Sequence, residues 1–422
     1  MKGYHEVPLT TMTEVPGSSH RKVTSDFEAI WIASGAVLSA STQLRLKHPI
    51  GPGEVILLLW IIKEIVVHFR TPISHYILSH PFGKFWIVSL VSMLIGWGYA
   101  TYIHRVDSAA ARDFLSYVFA ASFSVTLCSS NALKDYKKLM YWSFVCTTLL
   151  YGFLLFYVTR SIQLGPFRLL YQDARFQGLT DNPNQVALIC SVLPIFFVIN
   201  WQKLSLMAKV GNSILFFLAV AIGIACSSDA WKLSWIVMLG LLFLSPIISI
   251  IKLWAGGKVE ELKAIRSIAF VAILLFVAGF TFSHAPKEFK AISDKIFHHG
   301  TNAEDRLNLW QNGLFALRSD PTFGLGPGAH SGFAGPFEGE ESHSSFVEWA
   351  TIAGIFCCSY LIALFVIPLK KAIENRQFAA AIGLSALGII LVFHFLLRHP
   401  VLWMYLILLT VASAQKPLEL VK

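Results

Sequence analysis

The sequence predicts an all-α polytopic membrane protein, with about twelve transmembrane helices and one large, partly helical loop on the outer side. Three observations predict it. Hydrophobic residues fill 55% of the 422 positions and charged residues only 14%, against roughly 25% charged in soluble domains. The mean hydropathy is +0.60. The apolar residues also gather in runs close to the ~20 residues that a helix needs to cross the hydrocarbon core. The net charge of +9 does not point to nucleic acid. Its Lys and Arg residues lie in short clusters between apolar runs, where they set membrane topology.

In chain order the predicted spans are 27–43, 53–69, 84–103, 112–130, 139–159, 184–201, 211–228, 231–250, 266–283, 344–367, 377–397 and 399–415. Residues 1–26 have no continuous apolar core and are expected to form a cytoplasmic tail, with 416–422 as a second. Spans one to nine then occupy 27–283, a large loop 284–343, and the last three spans 344–415. The boundaries are weakest within 211–250, where Cys226 to Lys232 barely separates two runs, and within 377–415, where only Arg398-His399-Pro400 intervenes. Basic clusters such as Arg21-Lys22, Lys137-Lys138 and Lys370-Lys371 put both termini in the cytoplasm. The six cysteines (Cys128, Cys146, Cys190, Cys226, Cys357 and Cys358) sit in or beside apolar runs without a CxxC pair, so they are read as packing residues. Lys63-Glu64 is the main charged pair deep in a span, and adjacent residues are expected to diverge around a helix. His394 is read as a packing or hydrogen-bonded residue.

Two long connections fall on the outer side, 160–183 and 284–343. The second has helical signals. Thr301-Asn302-Ala303-Glu304 has the form of a capping box, Leu307, Trp310, Leu314 and Leu317 recur at helical spacing, and Asp320-Pro321 stops the helix. Phe289, Ile292, Ile296 and Phe297 mark another amphipathic stretch over 286–298, and both are expected to lie at the membrane interface. Gly324-Leu325-Gly326-Pro327-Gly328 offers backbone that can approach a ligand closely. The acidic run Glu338 to Glu341 reads as a solvated loop tip. The outer segments hold no DxD, and His298-His299 has no ligand-like companions, so neither a metal nor a cofactor is expected.

Arg175, Arg306 and His343 stand out on these loops. Alone, an interfacial Arg is commonly a snorkelling anchor and a His at a helix start a polar cap. Their chemistry is nonetheless complementary, because guanidinium forks suit a pyrophosphate and imidazole suits base catalysis near neutral pH.

Three motifs in this order carry a family resemblance. They are Arg175-Phe176-Gln177-Gly178 with Asn182-Pro183-Asn184, then Asp305-Arg306-Leu307-Asn308-Leu309-Trp310 with Asp320-Pro321 and Gly324 to Gly328, then His343 before the next span. The chain resembles the O-antigen ligase/polymerase superfamily of bacterial envelope glycosyltransferases over residues 171–355. The resemblance implies a GT-C-like architecture in the inner membrane, with the loops facing the periplasm. It implies transfer of a glycan from undecaprenyl pyrophosphate to a hydroxyl of the lipid A–core oligosaccharide, inverting and metal-independent. Arg175 and Arg306 would hold the pyrophosphate and His343 would act as base. Lys232, Asn184, Gly326 and His330 join them as substrate-binding candidates, and Asp229 could orient an arginine. The chain departs from the pattern at Ser227-Ser228-Asp229-Ala230, where many members have Ser-Arg-Gly, and at His343-Ser344, where many have His-Asn.

An O-antigen polymerase or a protein O-oligosaccharyltransferase would use the same donor chemistry on another acceptor. The moderate outer loop, with no soluble domain after the last span, favours the ligase. From another class, a twelve-span transporter or lipid flippase would call for ionisable residues or broken helices deep in the spans. Here the polar residues concentrate on one face. The expected partners are the lipid-linked glycan donor, the lipid A–core acceptor and membrane lipids.

Overall fold

A computed structural model describes residues 25–46, 48, 50–67, 80–162, 164–172, 174–201, 204–240, 301–332 and 339–416. The helices are α1 (Asp26–Ala40), α2 (Pro52–Val67), α3 (Pro81–Tyr102), α4 (Ala110–Ser129), α5 (Tyr136–Thr159), α6 (Pro183–Ser191), α7 (Leu193–Asn200) and α8 (Leu206–Ala225). They continue with α9 (229–240), α10 (Thr301–Leu317), α11 (Ser345–Glu374), α12 (Phe378–Phe393) and α13 (Pro400–Ser413). The small hairpin β1 (Leu170–Tyr171) and β2 (Arg175–Phe176) pairs antiparallel. Among the described residues, five stretches are long and apolar enough to cross a membrane: Pro81–Tyr102, Asn131–Thr159, Pro183–Asn200, Leu206–Ala225 and Ser345–Glu374. The outward surface agrees with that character. Val88, Val91, Leu94 and Ile95 on α3, and Ile355, Phe356, Ile362 and Val366 on α11, are exposed. Such continuous apolar faces are favourable against lipid and costly against water. The predicted span 266–283, the amphipathic stretch 286–298 and half of 231–250 lie outside the described residues.

Hydrogen bonds between connections sort the helix ends into two sets. At one end Gln43 Nε2 donates to Arg168 O (2.8 Å) and Thr180 O (2.6 Å), and Ala329 N–H donates to Asp107. At the other, Trp142 meets Asp26, and Asn375 donates to Ser413 O. The described parts of the connections at 160–182, 318–332 and 339–344 share the first end, joined by 226–228 through Arg175–Cys226 and by 394–399 through Arg398–Asp113. Between the ends lies an aromatic core from α3, α4, α11 and α13. Trp86 and Trp403 have ring centroids 4.6 Å apart, Phe85 stacks on Trp349 at 5.7 Å, and Tyr117 meets Trp349 edge-on at 5.3 Å.

α11 is broken at Gly354, which takes φ 85° and ψ 168°. A break frees carbonyls and N–H groups that would cost several kcal/mol each if left unpaired at membrane depth (roughly, by transfer arguments). The 320–326 turn supplies their partners. Leu325 N–H donates to Thr351 O (2.7 Å), Gly326 N–H to Ile352 O (3.1 Å), and Ile355 N–H to Pro321 O (2.9 Å). No side chain fits in this joint. A Cβ on Gly354 would sit 1.9 Å from Thr322 O, and one on Gly326 would sit 2.6 Å from the Trp97 backbone. The sequence expectation that 324–328 approaches a ligand is therefore corrected: this backbone approaches α3 and α11.

Other expectations change as well. Span 184–201 is two helices, interrupted at Val192 just before Pro194, because proline cannot donate the helical hydrogen bond. Lys63 and Glu64 do meet, Nζ to Oε1 at 2.8 Å, and Lys63 also pairs with Glu28 of α1. The flexible lysine stem folds back along the helix, and the third charge on a neighbouring helix draws it there. The cysteines are all free thiols.

Replacing Gly354 with Ala is expected to destabilise the protein by about 2 kcal/mol or more, from left-handed strain plus the forced retreat of the turn. The measure is thermal unfolding of the detergent-solubilised protein, with Gly388→Ala, where a Cβ meets open space, as the neutral control.

Candidate active site

Arg175 is aimed by its neighbours in the hairpin. Alternation in β2 buries Phe176 against the Tyr151 ring at 6.4 Å and turns Arg175 the other way. Gly178 follows with φ +55°, and a Cβ there would lie 2.7 Å from the Tyr151 ring. The Phe and the Gly of the motif thus pack so that the Arg is presented. Its Nε donates to Cys226 O at 3.1 Å and its Nη2 to Asn184 Oδ1 at 3.3 Å. Asn184 occupies the first turn of α6, whose N-cap Asn182 accepts the Asn184 N–H at 2.9 Å. The carbonyl of Cys226 is delivered by the turn from α8 to α9, where Ser227 is left-handed at φ 51°.

Arg306 points inward because of the face on which it lies. Leu309 and Ala316 are buried, and Gly313 packs where a Cβ would touch Ser331 and Val347. Arg306, Leu309, Gly313 and Ala316 form one helical stripe against α11 and the 330–332 turn. The predicted apolar face divides: Trp310 and Leu317 are partly buried, whereas Leu307 and Leu314, with Phe315, are exposed. α10 has two apolar stripes, and the one with small residues docks because it lets backbones approach. Arg306 is half-buried and within charge–charge reach of Asp229 and Arg175. Burial pulls its guanidinium below the ordinary value, Asp229 opposes this, and Arg175 adds to it.

His343 lies in the 339–344 connection with φ 54°, a left-handed backbone that a non-glycine residue adopts only when its surroundings impose it. The surroundings are visible. Ser342 N–H donates to the buried Glu348 Oε2 at 2.6 Å, Ser331 Oγ reaches the same oxygen at 3.2 Å, and Ser342 Oγ bonds Ser344 O at 2.9 Å. Upstream, Glu341 is ion-paired with Arg398, which also holds Asp113 at 2.8 Å. The expectation that Glu341 belongs to a solvated tip is therefore corrected. The His343 ring makes no hydrogen bond among the described residues, and it is within charge–charge reach of Arg306 and Glu340. His394, after α12, is within the same reach of Arg306, His343 and Arg175. It lies 3.4 Å from Ser228 Oγ, and its carbonyl accepts from Ser345 Oγ at 2.7 Å.

Arg175, Arg306, His343, Asn184 and Asp229 thus come from five separate stretches to one end of the bundle. Lys232 joins them only through its pair with Asp229, at 3.3 Å. Gly326 and His330 stand apart, in the α11 joint. His330 is buried and its Nε2–H donates to Gly326 O at 2.7 Å. Sequence reasoning missed Glu348, Arg398 and the proximity of His394. Glu348 had one legible signal, a carboxylate in the first turn of a predicted span, and Arg398 was read only as a span separator. Among the described residues no group of three His, Cys, Asp or Glu side chains could hold a metal ion.

Among the described residues, Asp229 pairs with Lys232 and lies within charge–charge reach of Arg306, which also feels Arg175 in a partly desolvated setting. Cationic side chains gathered in this way suit an anion with several oxygens. No protein-family model matches the chain, and no curated protein matches it.

Removing the Glu348 carboxylate leaves the Ser342 N–H and the Ser331 hydroxyl unsatisfied in a dry site. Glu348→Ala is expected to cost about 1–3 kcal/mol in thermal unfolding, whereas Glu348→Gln, which keeps an acceptor oxygen, retains most of that stability.

Proposed function

We infer that the chain is a membrane glycosyltransferase of the O-antigen ligase type. It would have about twelve spans in a bacterial inner membrane, and the end bearing Arg175 and His343 would face the periplasm. The donor is a glycan on undecaprenyl pyrophosphate and the acceptor a hydroxyl of the lipid A–core oligosaccharide. The observation that carries the reading is the placement of Arg175, Arg306 and His343 at one end of the bundle, with the Arg306 guanidinium within electrostatic reach of both Arg175 and His343. The motifs around these residues supply the family.

The chemistry balances with these groups. His343 takes the proton of the acceptor hydroxyl as that oxygen attacks the anomeric carbon. The bond from that carbon to the pyrophosphate oxygen breaks with inversion, and undecaprenyl pyrophosphate leaves. Arg306 and Arg175 meet the charge that grows on the leaving group, which is where fixed cations lower a barrier. The Cys226 carbonyl accepts from Nε of Arg175 and Asn184 Oδ1 from its Nη2, leaving the other terminal nitrogen for the phosphate.

Burial, with Arg306 added, holds the His343 imidazole below its ordinary value of 6.5, against the pull of Glu340. A base with a lowered pKa stays unprotonated to more acidic pH, so the acidic limb of the kcat/KM profile is expected below pH 6.5. Arg306→Gln removes a repulsion that disfavours the imidazolium, so the residual activity should show that limb moved to higher pH. An unmoved limb would mean that His343 is not the titrating base.

His343→Ala in a cell making long-chain lipopolysaccharide is the decisive variant. The expected result is loss of long chains from lipid A with lipid-linked polymer accumulating. Capping by single repeats would point instead to polymerisation, and unchanged glycans would sink the reading.

A further inference from the structure

A second feature at the same end of the bundle is not used by that chemistry. It is a cavity of about 680 Å³, inside the roughly 300–1,000 Å³ range of small-molecule sites. Its walls come from residues 42–46 and 48, the start of α4, residues 166–167, Asp181 and Gln185, and residues 398–399.

Each arginine in the wall has a carboxylate beside it. Arg398 is held by Asp113 and Glu341, and Arg45 is paired with Glu54. The Arg112 guanidinium is exposed and leans on Asp113 at 3.6 Å, and the Asp181 carboxylate also lines the space. An anion entering here would meet Asp113 and Asp181, and a cation would meet three arginines. A neutral ligand that both donates and accepts hydrogen bonds meets partners of both kinds. Gln185 adds an amide whose oxygen is engaged by Thr42 at 3.3 Å, and Phe167 beside Pro166 adds an apolar patch suited to the C–H face of a sugar ring.

The cavity adjoins the candidate active site through two short segments. Gln185 follows Asn184, the partner of Arg175. Arg398 lies four residues after His394 and is ion-paired with Glu341, two residues before His343.

We propose that this cavity is a binding site for a neutral, polyhydroxylated saccharide, separate from the arginines assigned to the pyrophosphate. As a place for the glycan of a substrate it rests on the glycosyl-transfer reading, whereas as a saccharide site it does not. The glycan belongs to the donor or to the acceptor, and both present the same hydroxyl chemistry.

The test uses the full-length protein in detergent on an array of neutral hexose and N-acetylhexosamine oligosaccharides, with phosphorylated and carboxylated glycans alongside. Neutral glycans are expected to bind, and the double variant Arg112→Ala/Asp181→Ala should weaken them at least 10-fold. Both side chains are exposed, and an unchanged melting temperature shows that the variant is folded. His343→Ala should bind as the parent does. In turnover assays the same double variant should raise KM for one substrate alone, and that substrate identifies the source of the glycan. Absence of neutral-glycan binding, preference for the anionic glycans, or binding unaffected by the double variant would each overturn the proposal. Array binding that stands while His343→Ala leaves cellular glycans intact would keep the site and discard the transfer reaction.

Discussion

The architecture depends on how one broken helix satisfies its backbone. α11 runs from Ser345 to Glu374 with a left-handed glycine at 354, and the freed groups are met by the backbone of 321–326. Within an apolar bundle water cannot serve as the partner, so the pairing is obligatory once the break exists. The joint holds the end of the α10 segment, α3 and the start of α11 in one arrangement. His343, Glu348 and Arg306 take their positions from it. The glycines of the motif are needed because three backbones meet there with no room for a Cβ.

Around this frame the polar residues are arranged in two electrostatic styles. The half-buried Glu341 and the buried Asp113 hold Arg398, while Glu348 fixes the Ser342 N–H. These groups are nearly closed on themselves, and they maintain the strained backbone of His343. Arg175 and Arg306 are left more open, and among the described residues their mutual repulsion is tempered by Asp229 and by the Asn184 and Cys226 oxygens. Satisfied pairs rigidify, and under-neutralised cations bind. The contrast separates scaffold from site more clearly than the identity of any single residue.

The amphipathic helix in the large loop illustrates the reach of pattern reading. Its existence over 301–317 follows from periodicity and from Asp320-Pro321. Its orientation does not, because Leu307 and Leu314 lie on a stripe as apolar as the one that docks. Close packing against Ser331 and Val347 favours the stripe containing Gly313, and that choice turns Arg306 inward. Size complementarity at a contact is invisible to a hydrophobicity period. In the same way, Arg398 seemed a mere separator between two apolar runs, and its partners Asp113 and Glu341 come from elements far away in the chain.

Composition and run length by themselves determined that this chain is helical and of membrane type, because a protein in lipid must close its backbone hydrogen bonds locally and cover itself with apolar side chains. The hairpin around Arg175 was not legible in this way, because the packing of Phe176 and Gly178 against Tyr151, which presents Arg175, is a tertiary contact. Only the tertiary structure decided which distant residues meet. It brought Arg175, Arg306 and His343 to one end, gave Gly326 and His330 to the helix joint, and made Glu348 the keeper of the His343 backbone. Those outcomes arise from close packing and from charge pairing across the bundle, and neither leaves a local trace along the chain.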